Sequence, residues 1–200
     1  MVPLRRRFAA GDAAGAWRTL SLVAEGLSEA ELERYAEQIE RIGAAAQQRL
    51  KAARAIVLGA RAAGSTAATH LVSSGVGYMA VVDGGAVRPA DLCGQALFYT
   101  PDVGANRAEA AAAKLGLLNP ETQTESYPVD IGADNAHAIV LGHDVAIDCR
   151  EGVAIAAACE AAGVALVTAP GDDAAAGLRA AEAALALLGT NAPVTEEAPA

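Results

Sequence analysis

The stretch Ala55-Ile56-Val57-Leu58-Gly59-Ala60-Arg61-Ala62-Ala63-Gly64-Ser65 decides the fold of this chain. An uninterrupted apolar run ends at one glycine, and a second glycine stands at the head of a segment of small residues. The order reads as strand, tight turn and helix: a strand covered on both faces needs no polar alternation, and the turn favours a residue without Cβ. About 20 residues further on, the apolar run Tyr78-Met79-Ala80-Val81-Val82 stops at Asp83. Strand, glycine turn, helix, strand and acid form the layout of a dinucleotide-binding α/β fold, with the acid placed for a ribose. Between the outer glycines, however, stand Arg61 and Ala62, where close approach of backbone to phosphate favours glycine. A Cβ there obstructs the approach, and the Arg61 side chain is long enough to fill the site itself.

Working outward, the alternation of strand and helix continues. Strands are predicted over 55–58, 79–83, 123–129, 144–148 and 164–168. Helices are predicted over 64–74, near 104–116, around 133–141, over 152–162 and over 174–188. Such alternation implies an α/β Rossmann-like parallel sheet with helices on both faces. Upstream, Ser28 followed by Glu31 makes a capping-box pattern, so a helix is expected from Ser28 to about Ile42, ended by Gly43 and followed by a short helix over 44–53. On the terminal helix, Leu178, Ala181, Leu185 and Leu188 form a stripe at helical spacing, for the sheet, a second subunit or both. Residues 1–26, with Ala, Gly and Arg around Trp17, are expected to be a flexible tail, and 191–200 a disordered acidic tail, leaving one domain over 27–190.

The 200 residues suit a single domain, 53% hydrophobic but only 4% aromatic, so the core must be built mainly from Ala, Val and Leu. A net charge of −9 argues against a nucleic-acid groove. Cys93, Cys149 and Cys159 form no CxxC pair, which argues against zinc and against a disulfide framework and favours a reducing cytoplasm. No apolar run approaches the roughly 18 residues of a membrane span. His70, His137 and His143 are scattered, so neither a metal site nor a catalytic triad follows, and no residue is assigned a catalytic role.

Landmarks spread over about 27–190 carry a further signal. They are Leu27-Ser28 with Arg34-Tyr35 and Gln38-Ile39; Gln48-Arg49-Leu50 before the Gly59 turn; and Gly75-Val76-Gly77 before the strand ending at Asp83. Val103-Gly104, Asn106-Arg107-Ala108-Glu109-Ala110, Leu118-Asn119-Pro120, Asp148-Cys149 and Gly177-Leu178-Arg179-Ala180-Ala181-Glu182-Ala183 follow in order. With these the chain resembles the E1-like activating enzymes, the MoeB and ThiF proteins of sulfur-carrier pathways and the adenylation halves of ubiquitin-type activators. The resemblance implies ATP-dependent adenylation of a carrier protein's C-terminal carboxylate. It also implies a site for ATP or AMP at Gly59, Arg61, Gly64, Asp83, Gln95, Arg107 and Asp148, and a magnesium ligand at Glu151.

Against the family pattern, the inventory is depleted. Glu37 stands where the family directs an arginine at its partner subunit's nucleotide, and Ala90-Asp91-Leu92-Cys93-Gly94-Gln95 replaces a segment that supplies a phosphate-contacting Asn and Arg. Arg107 stands for a lysine and Glu151 for an aspartate. Loss of one phosphate-stabilising donor costs about 3–4 kcal/mol of transition-state stabilisation. The family's antiparallel substrate-binding half is also missing, since only a few residues join Val167-Thr168-Ala169-Pro170 to the last helix. These departures resemble the non-adenylating subunit of two-part activators. They point to a non-catalytic subunit that forms a homodimer, or a heterodimer with an active E1-like protein, with a ubiquitin-like or sulfur-carrier protein as further partner. Two alternatives stand beside it: a minimal ATP-dependent enzyme that activates a peptide or small-molecule carboxylate, and an NAD-binding oxidoreductase, for which no hydride-site constellation is evident. Each site residue also has a plain structural use: the glycines in a bare turn, Asp83 as a loop cap, and Arg61, Arg107 and Glu151 on the surface.

Overall fold

Five strands, β1 (Arg54–Leu58), β2 (Tyr78–Val82), β3 (Gln123–Tyr127), β4 (Val145–Asp148) and β5 (Ala165–Thr168), pair in the order β3-β2-β1-β4-β5, all parallel. The computed structural model describes residues 26–95, 97–150, 155–169, 171 and 173–189. The expected tails therefore lie outside the described residues, apart from Gly26. β1 is the centre of the sheet, with Ile56 opposite Ala80 on one side and Ala146 on the other. Ala55 to Leu58 are fully buried, which is why they read as a continuous apolar run.

Helices cover both faces, as the strand pattern requires. On one face Val57, Met79, Val81 and Ile147 pack with α4 (Ala62–Ser73), α5 (Arg107–Leu118) and α8 (Ala174–Leu187). On the other, Ile56, Leu58, Ala80 and Val82 pack with α6 (Ala136–Val140) and α7 (Ala156–Ala162). This is a Rossmann-like α/β architecture. Small residues allow close approach on the first face: a Cβ on Gly177 of α8 would lie 2.1 Å from the Ala63 carbonyl oxygen of α4. The buried face of α8 is Ala176, Gly177, Ala180, Ala181 and Ala184. The expected apolar stripe is thus divided: Ala181 is buried, Leu185 and Leu188 pack partly buried on the core, and Leu178 turns outward.

Several boundaries differ from those read in the sequence, each for a local reason. The helix expected over 28–42 is two, α1 (Glu29–Arg34) and α2 (Ala36–Ile42), broken at Tyr35. Tyr35 is buried, and its hydroxyl accepts a hydrogen bond from Asn119 Nδ2 at 2.7 Å, a tertiary anchor that overrides helical continuity. The capping box at Ser28 and Glu31 forms as expected, and α3 (Ala44–Ala52) follows. α4 begins at Ala62 with Arg61 as its N-cap, so Gly64 sits inside the first helical turn. α5 begins later than expected because the Asn106 side chain caps it, accepting from the Glu109 amide. Residues 169–173 alone join β5 to α8, so no antiparallel sheet intervenes between them.

Candidate functional site

The chain runs from β1 outward to β2 and β3, then returns to place β4 on the opposite side of β1. Reversal of strand order opens a crevice at the carboxyl ends of the central strands, where α/β sheets bind ligands. Here it is a cleft of about 260 Å³ lined by Arg61, Val82, Asp83, Arg107, Ile131 and Arg150, among others. That volume lies just below the roughly 300–1,000 Å³ of small-molecule sites. Arg61, Asp83 and Arg107 from the sequence reading thus come together.

Asp83 follows β2 directly and is held on both oxygens. Oδ2 accepts from the Ala60 amide and Arg107 Nε, each at 2.9 Å, while Oδ1 accepts from the Gly85 amide and Arg107 Nη2, also at 2.9 Å. A carboxylate offers about four lone-pair positions, and all are filled by donors of the same chain. Two of the donors form a bidentate guanidinium fork, the strongest geometry for such a pair. Arg107 is fixed further by Nη1 donating to the Ala86 carbonyl at 2.6 Å and to Asp91 Oδ2 at 3.2 Å.

Asp91 is the second acid of the network, on a 3-10 turn over Pro89–Leu92. Its side chain is 1% exposed, yet arginines surround it: Arg88 Nη2 lies 2.8 Å from Oδ1 and Arg61 Nε 3.6 Å from the same atom. The Arg88 guanidinium, with its backbone amide, holds the carboxyl at about 2, against the opposing effect of burial. At the end of β4, Asp148 makes a comparable pair, accepting from Arg150 Nε at 2.9 Å and Nη2 at 3.2 Å. The Arg150 stem lies across the glycine turn: a Cβ on Gly59 would be 2.8 Å from Arg150 Cγ. The Arg150 stem therefore occupies the space that a side chain at residue 59 would take.

The remaining expected residues are placed apart from this chemistry. A Cβ on Gly64 would fall 1.7 Å from the Gly59 carbonyl oxygen, so this glycine permits close packing of helix on turn. Gln95 spends its amide on its own loop, with Oε1 accepting from the Leu97 and Phe98 amides at 2.6 and 2.7 Å and Nε2 donating to the Phe98 carbonyl at 3.0 Å. Glu151 lies outside the described residues. Among the described residues no three His, Cys, Asp or Glu side chains converge as metal ligands. Asp148 is committed to Arg150. Arg88 and Arg150 are not among the site residues that the sequence points to. The signals available were the i, i+3 spacing of Arg88 and Asp91, and the position of Arg150 two residues after a strand-terminal acid.

Sheet order, crevice and acid together define a nucleotide-fold α/β protein. The model of the ThiF family matches residues 35–191, and the chain belongs to that family. A sulfur carrier protein adenylyltransferase of Thermus thermophilus is 37% identical over 123 residues, covering 60% of this chain and 45% of that protein. The heterocyst HesA protein of Trichormus variabilis is 38% identical over 125 residues, covering 62% and 47%. The chain thus spans about half the length of these relatives or less. Among solved structures, the E. coli tRNA N6-threonylcarbamoyladenosine dehydratase TcdA in complex with AMP is similar, with a TM-score of 0.67 and 27% identity, over 72% of this chain and 61% of that one. The same enzyme is also known in complex with ATP. No helix among the described residues is long and apolar enough to cross a membrane.

Proposed function

We propose that this chain is a non-adenylating ThiF-family subunit. It forms a homodimer, or a heterodimer with an active E1-like protein, and serves a sulfur-carrier, ubiquitin-like or specialised-metabolite activation pathway in the cytoplasm. The observation that carries this reading is the state of Asp83. The acid positioned for a ribose accepts four hydrogen bonds from its own chain, two of them from Arg107. A ribose hydroxyl gains the carboxylate only by displacing one of these donors, two of which belong to a bidentate ion pair whose side chains are 13% and 8% exposed. Two further features agree with it. Arg150 covers the glycine turn, and the segment that would hold a carrier's tail in the family is reduced to 169–173.

The function of such a subunit is mechanical: the sheet and its helices present a surface to a partner, with α1, α2 and α8 as the expected contact elements. The alternative, a minimal adenylating enzyme, draws on Arg61, Arg107 and Arg150 facing one crevice. One experiment separates them. The purified chain is titrated with ATP and magnesium by calorimetry and assayed for ATP–pyrophosphate exchange with a sulfur-carrier protein present. The expected outcome is no exchange and binding weaker than about millimolar, an interaction of less than about 4 kcal/mol. Tighter binding with exchange that disappears in Asp83→Ala establishes the enzyme instead.

A further inference from the structure

Three guanidiniums converge on one carboxylate beside the crevice. Asp91 receives Arg88 Nη2 at 2.8 Å, Arg88 Nε at 3.2 Å and Arg107 Nη1 at 3.2 Å, with Arg61 Nε at 3.6 Å. The Arg88 backbone amide adds a further bond at 3.0 Å. Clustered positive groups with hydrogen donors on one side of a small cavity make an oxyanion site, and arginine's fork suits phosphate as well as carboxylate. We propose that Asp91 is a built-in anion. Its carboxylate occupies a phosphate-type oxyanion site formed by Arg61, Arg88 and Arg107, and the site takes a free tetrahedral oxyanion when that carboxylate is removed.

The proposal rests on the reading that ATP does not occupy the crevice, and it adds what holds the crevice in order without ATP. With Asp91 removed, Arg88 and Arg107 lose a carboxylate that both bond and Arg61 loses an ion-pair partner, while Arg107 keeps Asp83. Like charges at such separations repel, and the repulsion is strong where side chains are shielded from water, as Arg107 is at 13% exposure. An anion attached to the chain is present at every moment, so the site does not empty as an oxyanion ligand's concentration falls. Arg107 transmits the constraint, because the guanidinium that reaches Asp91 also saturates Asp83. The β2–α5 connection is thereby fixed by the sequence itself, and the surface it presents to a partner does not depend on nucleotide supply.

The test is chemical rescue. Thermal melts are recorded for wild type, Asp91→Ala and Asp91→Asn in sodium chloride, sodium phosphate and sodium sulfate at equal ionic strength. Asp91→Ala is expected to melt roughly 6–12 °C below wild type in chloride, as for a broken buried ion pair. Phosphate at about ten times its dissociation constant is expected to restore about 3–5 °C, saturably, while wild type does not respond. Should Asp91→Ala fail to fold in chloride, Asp91→Asn keeps the turn's acceptor for the Arg88 amide, and phosphate binding to it is read by calorimetry against wild type. Equal responses of variant and wild type, or a gain in phosphate no larger than in chloride, overturns the proposal. Tight ATP binding by wild type overturns the proposed function instead, so the two readings fail separately.

Discussion

The two ends of the sheet carry similar charges and use them differently. At the amino end, the Arg54 guanidinium lies 3.7 Å from the centroid of the Tyr78 ring and donates Nε to the Gly142 carbonyl at 2.9 Å. The Tyr78 hydroxyl bonds Glu125, and His143 packs beside the Tyr78 ring with centroids 5.7 Å apart. At the carboxyl end, Asp83, Asp91 and Asp148 are each held by arginines of the same chain. A ligand site ordinarily keeps donors and acceptors in reserve for what it binds. Here the reserve is inverted. Three acids of the crevice end are paired, while the one buried side-chain nitrogen or oxygen without a hydrogen-bond partner among the described residues, His143 Nε2, lies at the amino end.

The comparison breaks most directly through arginine. Arg107→Ala leaves Asp83 and Asp91 without their shared cation and is expected to cost about 3–5 kcal/mol. Arg54→Ala, which removes an exposed stacking contact, is expected to cost about 0.5–1 kcal/mol. Urea titrations of both variants measure the difference. Equal costs would mean that the crevice network is only a surface ion pair, and the reading of a self-closed site would fall with it. A smaller effect follows from Gly64→Ala, whose new Cβ is driven 1.7 Å from the Gly59 carbonyl oxygen. Overpacking of this kind costs about 1–3 kcal/mol, occasionally more, and the melt should fall accordingly. If Gly64→Ala is neutral, the helix does not press on the turn, and Gly64 returns to consideration as a phosphate contact.

How far the sequence alone could go is clear from the same residues. Apolar runs broken by glycines and closed by Asp83 were enough for the parallel sheet and its switch point, because burial on both faces leaves a mark at every strand position. The break at Tyr35 was not legible, since a hydrogen bond from Asn119 across the fold decides it. The same holds for Gln95, which a motif comparison puts near phosphate but whose amide closes on the 97–98 backbone. The sequence places Asp91 in the segment that replaces the family's phosphate-contacting Asn and Arg. That its carboxylate turns inward to collect three arginines is a matter of side-chain direction, which spacing does not encode. Arg150 shows the same limit: nothing in Asp148-Cys149-Arg150 reveals that the arginine folds back over Gly59.

The last predicted effect concerns the amino end and is a function of pH. Burial lowers the pKa of His143, with Arg54 acting in the same direction, while the Val140 carbonyl, Asp144 and Glu125 oppose. Nδ1 sits 3.0 Å from the Val140 carbonyl oxygen, so the proton of the neutral ring belongs there and Nε2 is the atom left bare. As pH falls through the ordinary histidine value of 6.5, the unfolded chain takes up a proton that the folded chain refuses. Stability from this group is therefore complete above 6.5 and declines below it, until the lower folded pKa is reached. The slope is about 1.4 kcal/mol for each pH unit in that window. His143→Phe keeps the ring against Tyr78 and leaves the Val140 carbonyl a partner in the residue 143 amide, at 3.3 Å. Denaturant titrations at pH 7.5 and 5.5 should give the variant a gain on wild type at the lower pH that is missing at the higher. An unchanged difference between the two would mean that His143 charges freely where it stands, and the contrast between the paired acids of the crevice and the unpartnered histidine nitrogen at the amino end would lose its second half.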